Sequence, residues 1–203
     1  MKLHGDLLSP FVRMSLVTAI ECGLGAKVQQ VTAAVKPQDV NDMLEKLSPI
    51  GKIPVLETDH GHAVYDSRVI MEYFCHVAGN KALLADEGAK HFRVLTSLAL
   101  AQGIGDAAVA LRYETFARPE AGRWPELAER QRARINAGLD EFERHVTETL
   151  EPLTLAAIAA ACVLAYIDIR HGTLEWRKAR PLLSGWYEGF ARRDSMVATQ
   201  PKT

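Results

Sequence analysis

The pattern of apolar residues changes near residue 80, and this change constrains the fold more than any other feature of the chain. Before it, short strand-like stretches alternate with helical ones. After it, almost all apolar residues recur at helical spacing. The first part therefore predicts an α/β domain with a small mixed sheet, and the second part predicts an all-α domain. We place these domains at residues 1–79 and 87–203, with residues 80–86 as the linker.

In the first domain the pattern predicts the element order βαβαββα. Pro10 suits the first helical position, where its missing N–H is not needed, and Gly23 stops that helix. The run Thr58-Asp59-His60-Gly61 is a hairpin turn signal. The predicted strands cover residues 1–5, 28–32, 55–57 and 63–65, and the predicted helices cover residues 10–22, 39–47 and 67–77.

The second domain is predicted to contain four helices. The most apolar run, residues 153–167, has about 15 residues and is shorter than the roughly 20 that cross a bilayer. It therefore predicts a buried helix. The four helices are expected at residues 89–116, 125–150, 155–170 and 181–193.

Composition excludes several classes of function. The 203 residues carry a formal net charge of −1, which does not suit a general nucleic-acid binder. Seven histidines without a metal-ligand spacing and the absence of Gly-rich phosphate motifs argue against a metal site and a nucleotide site. Three scattered cysteines and an N-terminus without a signal peptide predict a reducing, cytoplasmic location and no membrane association.

Three short motifs carry the chemistry. Ser9 lies at a predicted strand-to-helix turn, where free N–H groups and the positive end of the helix dipole can stabilise an anion. Pro54 interrupts a strand-like Ile-Pro-Val-Leu run and predicts a special turn with a cis peptide bond. Asp66 and Ser67 precede a helix, and either can be its N-cap. Each motif also has a purely structural interpretation: a helix cap without a ligand, an edge-strand proline, or a capping pair.

Together these residues resemble the glutathione transferase superfamily over essentially the whole chain. The most specific part is the run Ser-Pro-Ile-Gly-Lys-Ile-Pro-Val-Leu at 48–56, with Asp-Ser at 66–67. Residues 9–13 resemble the active-site turn of serine-type bacterial members, and residues 103–114 resemble the first long helix of the same group. The resemblance implies a thioredoxin-like N-terminal domain, a helical C-terminal domain, glutathione as co-substrate, a small electrophile as second substrate, and a homodimer.

The resemblance also assigns roles in binding glutathione. Ser9 would donate its hydroxyl to the glutathione sulfur. Ile53, held by a cis Pro54, would present its main-chain N–H and C=O to the cysteinyl part. Ser67 would hold the γ-glutamyl carboxylate and Asp66 would face the ammonium group. Lys52 would reach the glycyl carboxylate.

Other candidates are less specific. Leu7, Phe11, Leu111 and Tyr113 are candidates for the electrophile pocket, with the helical domain contributing the last two. Aromatic residues at helical spacing are also common in protein cores. Asp106 either contacts an amine group across the dimer interface or forms a local hydrogen bond.

Arg13 and Ala157 are two further positions of interest. Arg13 would steer acids, pair with a carboxylate, or lie on the surface. Family members usually begin the central helix with Ser or Thr and place Asp three residues later, as a capping box. Here Thr154 is followed by Ala157, so we expect Ala157→Asp to raise the melting temperature.

Two other functions are compatible with this fold class. A non-catalytic transferase-like scaffold would bind protein partners, although it would need none of the three motifs. A glutaredoxin-type reductase needs a nucleophilic cysteine at the turn, where this chain has Ser9; Cys22 lies more than three helical turns away. The sequence therefore favours an enzyme that activates the thiol of glutathione.

Overall fold

The computed structural model of the chain describes residues 1–33, 35, 38–85 and 88–201. It divides into two units, one formed by residues 1–87 with 192–203 and the other by residues 88–191. The predicted linker, residues 80–86, contains a 3-10 turn at Ala82–Leu84. Its last residue, 86, lies outside the described residues, as do residues 87, 202 and 203. The last residues of the chain thus group with the first unit.

The first unit has the βαβαββα order of a thioredoxin-like fold, as predicted. Pro10 is the first residue of its first helix, and that helix is followed by Cys22 and Gly23. The elements are β1 (Lys2–His4), α1 (Pro10–Glu21), β2 (Gln29–Val31), α2 (Asp42–Leu47), β3 (Val55–Glu57), β4 (Ala63–Val64) and α3 (Ser67–Ala78).

The four strands form one mixed sheet in the order β2-β1-β3-β4. On one face, Leu3 and Leu56 pack in a core with side chains of α1 and α3 such as Val12 and Phe74. On the other face, Val55 packs against Leu44 of α2. Alternating strand residues thus supply both layers, as the pleat of a strand requires.

The strand pairing brings the ends of β1, β2 and β4 and the start of β3 to one edge of this sheet. His4, the last residue of β1, pairs with Val31 at the end of parallel β2 and with Val55 at the start of antiparallel β3. Val64, which ends β4, pairs with Leu56 of β3. The loop before α1, the residues before β3 and the residues before α3 therefore all leave the sheet at the same edge.

The second unit is helical. Every residue from Leu155 to Ile167 is buried, which confirms the prediction of a buried helix in this apolar run. Its helices are α4 (Gly88–Arg112), α5 (Pro125–Arg144), α6 (Val146–Thr149), α7 (Leu155–Arg170) and α8 (Pro181–Phe190).

Helix α4 packs against α5 and α7. It continues into a π-helical turn at Tyr113–Ala117. By length and composition alone, Gly88–Ala117 is apolar enough to cross a membrane, a property shared with the core helices of soluble proteins.

Three predicted helices are longer than the observed ones. The helix expected at 39–47 begins only at Asp42, because Asn41 is its N-cap. The helix expected at 125–150 breaks at His145, whose backbone (φ −127°, ψ 25°) leaves the helical region before α6 begins. The helix expected at 181–193 ends at Phe190. A separate helix, α9 (Asp194–Ala198), follows Arg193, whose extended backbone (φ −62°, ψ 142°) interrupts the helical path.

Arg13 explains how α9 is attached to the first unit. It is 6% exposed, and its Nη2 donates to the Met196 carbonyl at 2.9 Å. The expectation of a surface arginine or a carboxylate partner was therefore wrong, because the C-terminal segment covers this face of α1. A bidentate ion pair from Arg193 to Glu21 (2.8 and 2.9 Å) holds the same segment.

Candidate functional site

The turn that carries Ser9 is fixed by its own hydrogen bonds. Asp6 accepts from the Leu8 N–H through its side chain (2.7 Å) and from the Ser9 N–H through its carbonyl (2.9 Å). Ser9 then begins α1 as its N-cap, and its Oγ accepts from the Val12 N–H at 3.5 Å. A serine hydroxyl has one O–H and two lone pairs, so this cap leaves the O–H able to donate to a ligand.

Gly5 brings this turn close to the next part of the site. Its N–H donates to the Val31 carbonyl (2.9 Å), and its carbonyl accepts from the Gln30 side chain (2.5 Å). Its φ is +144°, and a Cβ here would overlap Val12 Cγ2 and lie 3.2 Å from Ile53 Cβ. Only glycine lets β1, α1 and the residue before Pro54 approach this closely.

Ile53 offers an open stretch of main chain at the same edge. The Ile53–Pro54 peptide bond is cis, as the sequence predicts. Pro54 is buried and Ile53 is half-buried. Within residues 1–33, 35, 38–85 and 88–201, neither the N–H nor the C=O of Ile53 has a hydrogen-bond partner. Main-chain groups at a partly buried position require water or a ligand as partners.

The N-terminus of α3 forms the third part. Asp66 is the N-cap, and its Oδ1 accepts from the Arg68 N–H at 3.0 Å. Ser67, the first helical residue, is 3% exposed, whereas Asp66 is exposed. The choice of cap that the sequence left open is thus settled in favour of Asp66. Two helix N-termini, those of α1 and α3, bring the positive ends of their dipoles to this edge.

The remaining predicted residues are distributed between the two units. In the first, Lys52 is exposed, and Leu7 is half-buried against the core beneath α1 and α3. Phe11 is also half-buried. In the second, Leu111 is 2% exposed and Tyr113 is 40% exposed. Asp106 lies on an exposed position of α4. Their roles at the electrophile pocket and the dimer interface stay predictions.

Sequence reasoning missed two residues near the site, Gly5 and His4. His4 is 5% exposed and its Nε2 lies 3.4 Å from Glu57 Oε2, whereas its buried Nδ1 has no hydrogen-bond partner in the described part of the chain. A glycine and a histidine at the end of a short strand give no pattern that marks them. Among the described residues, no cluster of three His, Cys, Asp or Glu side chains could hold a metal ion.

Comparison with known proteins identifies the family of this chain. Residues 8–77 match the family model of the glutathione S-transferase N-terminal domain, and residues 125–189 match that of the C-terminal domain. The uncharacterized GST-like protein YibF of Escherichia coli (strain K12) is 33% identical over 99% of this chain and 98% of its own length.

Solved structures give the same result. A glutathione transferase family member from Pseudomonas fluorescens Pf-5, with bound glutathione, is 36% identical and superposes with a TM-score of 0.96, covering 100% of this chain and 99% of that one. A glutathione S-transferase from Methylobacillus flagellatus, also with bound glutathione, is 31% identical with a TM-score of 0.88, covering 99% of both chains. These matches show that the chain belongs to the glutathione transferase superfamily.

Proposed function

We propose that the protein binds glutathione at the sheet edge formed by Ser9, Ile53 and the Asp66-Ser67 pair, and activates its thiol for attack on small electrophiles. The observation that carries this proposal is the convergence of an available hydroxyl, an unpaired main-chain segment and two helix N-termini at one edge. A tripeptide with two carboxylates and a thiol matches these groups, because helix N-termini favour anions and an open main chain pairs with another main chain.

Each site residue has a part in this binding. The N–H and C=O of Ile53 pair with the cysteinyl residue of glutathione, which places its sulfur near Ser9. Ser67 and the first turn of α3 hold the γ-glutamyl carboxylate, and the exposed Asp66 carboxylate faces the ammonium group. Lys52, exposed beside Ile53, reaches the glycyl carboxylate.

Ser9 supplies the chemical step by stabilising the thiolate. A free thiol has a pKa near 8.5, so only a few per cent is ionised at neutral pH. One hydrogen bond to a charged acceptor contributes roughly 1.5–3 kcal/mol, which lowers the thiol pKa by about one to two units. The dipole of α1 adds some tenths of a kcal/mol. The thiolate then attacks an electrophilic carbon, and a peroxide as a side reaction.

A relative supports the conjugation reaction. The Pseudomonas fluorescens protein has also been crystallised with bound S-(propanoic acid)-glutathione, in which the sulfur already carries a carbon substituent. A site that accepts such a thioether in a relative 36% identical to this chain favours transfer of alkyl or aryl groups here. We further propose that the enzyme acts in the cytoplasm as a homodimer, with Asp106 at the interface.

The test measures conjugation of glutathione to a generic aryl halide by the wild type, Ser9→Ala and Ser15→Ala. Ser15 lies on the same helix, and its buried hydroxyl donates to the Phe11 carbonyl at 2.9 Å, so its loss controls for helix damage. We expect Ser9→Ala to lower the rate at neutral pH by roughly ten- to thirtyfold and Ser15→Ala to lower it little. Equal rates for wild type and Ser9→Ala would contradict the role of Ser9.

The scaffold alternative is separated by binding. The enzyme proposal expects retention of the folded protein on immobilised glutathione. A folded protein that neither binds the resin nor conjugates the aryl halide supports a scaffold instead.

A further inference from the structure

Two of the three cysteines meet at the edge of the first unit opposite the predicted glutathione site. Helices α1 and α3 both begin at the site edge and pack against each other, so their C-terminal ends lie together. Cys22 follows the last residue of α1, and Cys75 lies in the last turn of α3. The two thiol groups lie close enough to shift each other's pKa.

Asn80 lies next to both cysteines. Its N–H donates to the Cys75 carbonyl at 2.9 Å, where Gly79 (φ +64°) ends α3. Its Oδ1 accepts from the N–H groups of Ala82 and Leu83 at 3.2 and 3.4 Å. Because these bonds occupy the amide oxygen, the NH₂ group is the part of the Asn80 side chain that can donate to the nearby Cys22 sulfur.

The two thiols differ in exposure and in acidity. Cys75 is 2% exposed, whereas Cys22 is partly exposed and is the thiol that a reagent in solution reaches. The hydrogen bond from Cys75 lowers the pKa of Cys22, with help from Asn80, against burial and the negative charge of Glu21. The same hydrogen bond, together with burial and the negative charges of Cys22 and Glu72, raises the pKa of Cys75.

The charge of Glu21 is itself balanced. Its carboxylate forms the ion pair with Arg193 and accepts from the Ser195 hydroxyl at 2.5 Å. These contacts reduce its repulsion of a thiolate on the neighbouring residue. A partly exposed thiol of lowered pKa beside a second, protonated thiol has the features of an attacking cysteine with a resolving partner.

We propose that Cys22 and Cys75 are a redox-active pair that hydroperoxides convert to an intramolecular disulfide joining α1 to α3. The Cys22 thiolate attacks a peroxide oxygen, so that an S–O bond forms, the O–O bond breaks, and the leaving oxygen takes up a proton as water or an alcohol. The Cys75 sulfur then attacks the sulfenic acid, so that the S–S bond forms and the S–O bond breaks. The hydroxide leaves as water with the Cys75 proton.

This reaction consumes one hydroperoxide, which gains two electrons, and oxidises two thiols to one disulfide; two molecules of a thiol such as glutathione reverse it. It uses no residue of the glutathione site, and it proceeds in Ser9→Ala as in the wild type. Its success or failure is therefore independent of the proposed conjugation reaction.

The experiment exposes the reduced full-length protein to a small excess of hydrogen peroxide, unfolds it under acid quench, and counts free thiols by alkylation and intact mass. Cys162→Ser is the matched control, because Cys162 is 1% exposed within α7. We expect free thiols to fall from three to one in the wild type and from two to none in Cys162→Ser, with a mass loss of two hydrogen atoms in each. Cys22→Ser should lose no thiol, and Cys75→Ser should accumulate a sulfenic acid that dimedone traps.

Peptide mapping of the oxidised wild type supplies a second readout that needs no variant. A proteolytic fragment that links Cys22 to Cys75, and that disappears on treatment with dithiothreitol, supports the proposal. Three free thiols after exposure, a disulfide that involves Cys162 or a second molecule, or a higher oxide of Cys22 without a disulfide would each overturn it.

Discussion

Substitution of Gly5 by alanine tests whether close approach of the backbone builds the candidate site. An alanine Cβ at this position overlaps Val12 Cγ2 and lies 3.2 Å from Ile53 Cβ. Val12 is the residue whose N–H is capped by Ser9, and Ile53 carries the open main chain. One added methyl group therefore pushes apart two elements that the proposed function needs side by side.

The size of the effect follows from two contributions. Overpacking of a well-packed site costs typically 1–3 kcal/mol. A non-glycine residue at φ +144° adds backbone strain of roughly 1–3 kcal/mol. We expect Gly5→Ala to lower the free energy of unfolding by about 2–6 kcal/mol. We also expect displacement of the site elements to slow conjugation by roughly hundredfold, because a 1 Å misplacement costs about that much in rate.

Gly61 is a matched control in the turn between β3 and β4. Its φ is +77°, but no atom of the described residues lies within 4 Å of a Cβ there, so Gly61→Ala introduces backbone strain of about 1–2 kcal/mol without a collision. Urea unfolding of both variants gives the extra loss of stability at Gly5, which combines the collision with the difference in backbone strain. Glutathione affinity, measured by calorimetry on the folded proteins, reports on the site itself. If Gly5→Ala matched Gly61→Ala in stability and the wild type in affinity, the close approach would have no role.

Three further substitutions test other parts of the structure. Arg193 lowers the pKa of Glu21 through its hydrogen bonds, so this pair stabilises the protein above pH about 4.5, and that stability is lost as pH falls through the folded-state pKa. Urea unfolding should show Glu21→Gln less stable than wild type by roughly 1–3 kcal/mol near neutral pH, and the gap should shrink toward pH 3; a gap independent of pH would contradict this. Ala157→Asp should raise the melting temperature in a thermal scan by completing the cap of the Thr154 main chain, a gain of order 1 kcal/mol; an unchanged or lower temperature would refute it. A Cβ at Gly138 of α5 would lie 2.5 Å from an Ile104 side-chain atom, so Gly138→Ala should lose about 1–3 kcal/mol in the same unfolding assay, whereas a gain would show that α4 moves aside freely.

Local features of the structure were readable from the sequence because a few neighbouring residues determine them. The order of strands and helices follows from hydrophobic spacing, and α7 has the predicted bounds, 155–170. The cis bond before Pro54 follows from a proline placed against strand-like neighbours. The caps at Asp66 and Thr154 follow from residue types that favour helix starts.

Features that depend on distant contacts were not readable. Arg13 bonds to Met196, which lies 183 residues away, and nothing near Arg13 marks it as the anchor of a C-terminal helix. Position 5 requires glycine because the side chains of Val12 and Ile53 occupy the space that a Cβ would need. The Cys22–Cys75 pair arises because two packed helices end together, which spacing in the sequence does not express.

The cap distances favour a ligand role for Ser9 over a purely structural one. A helix N-cap stabilises through the hydrogen bond that its side chain accepts, and that bond weakens as it lengthens. Ser9 makes the longest of the four side-chain caps among the described residues, so capping explains its presence least well. The cap distances are 3.0 Å at Asp66, 3.2 Å at Asn41, 3.3 Å at Thr154 and 3.5 Å at Ser9. A hydroxyl that contributes little to its helix, and that can still donate its O–H at the edge where the main chain of Ile53 has no partner among the described residues, is better suited to hold a thiolate than to hold the helix.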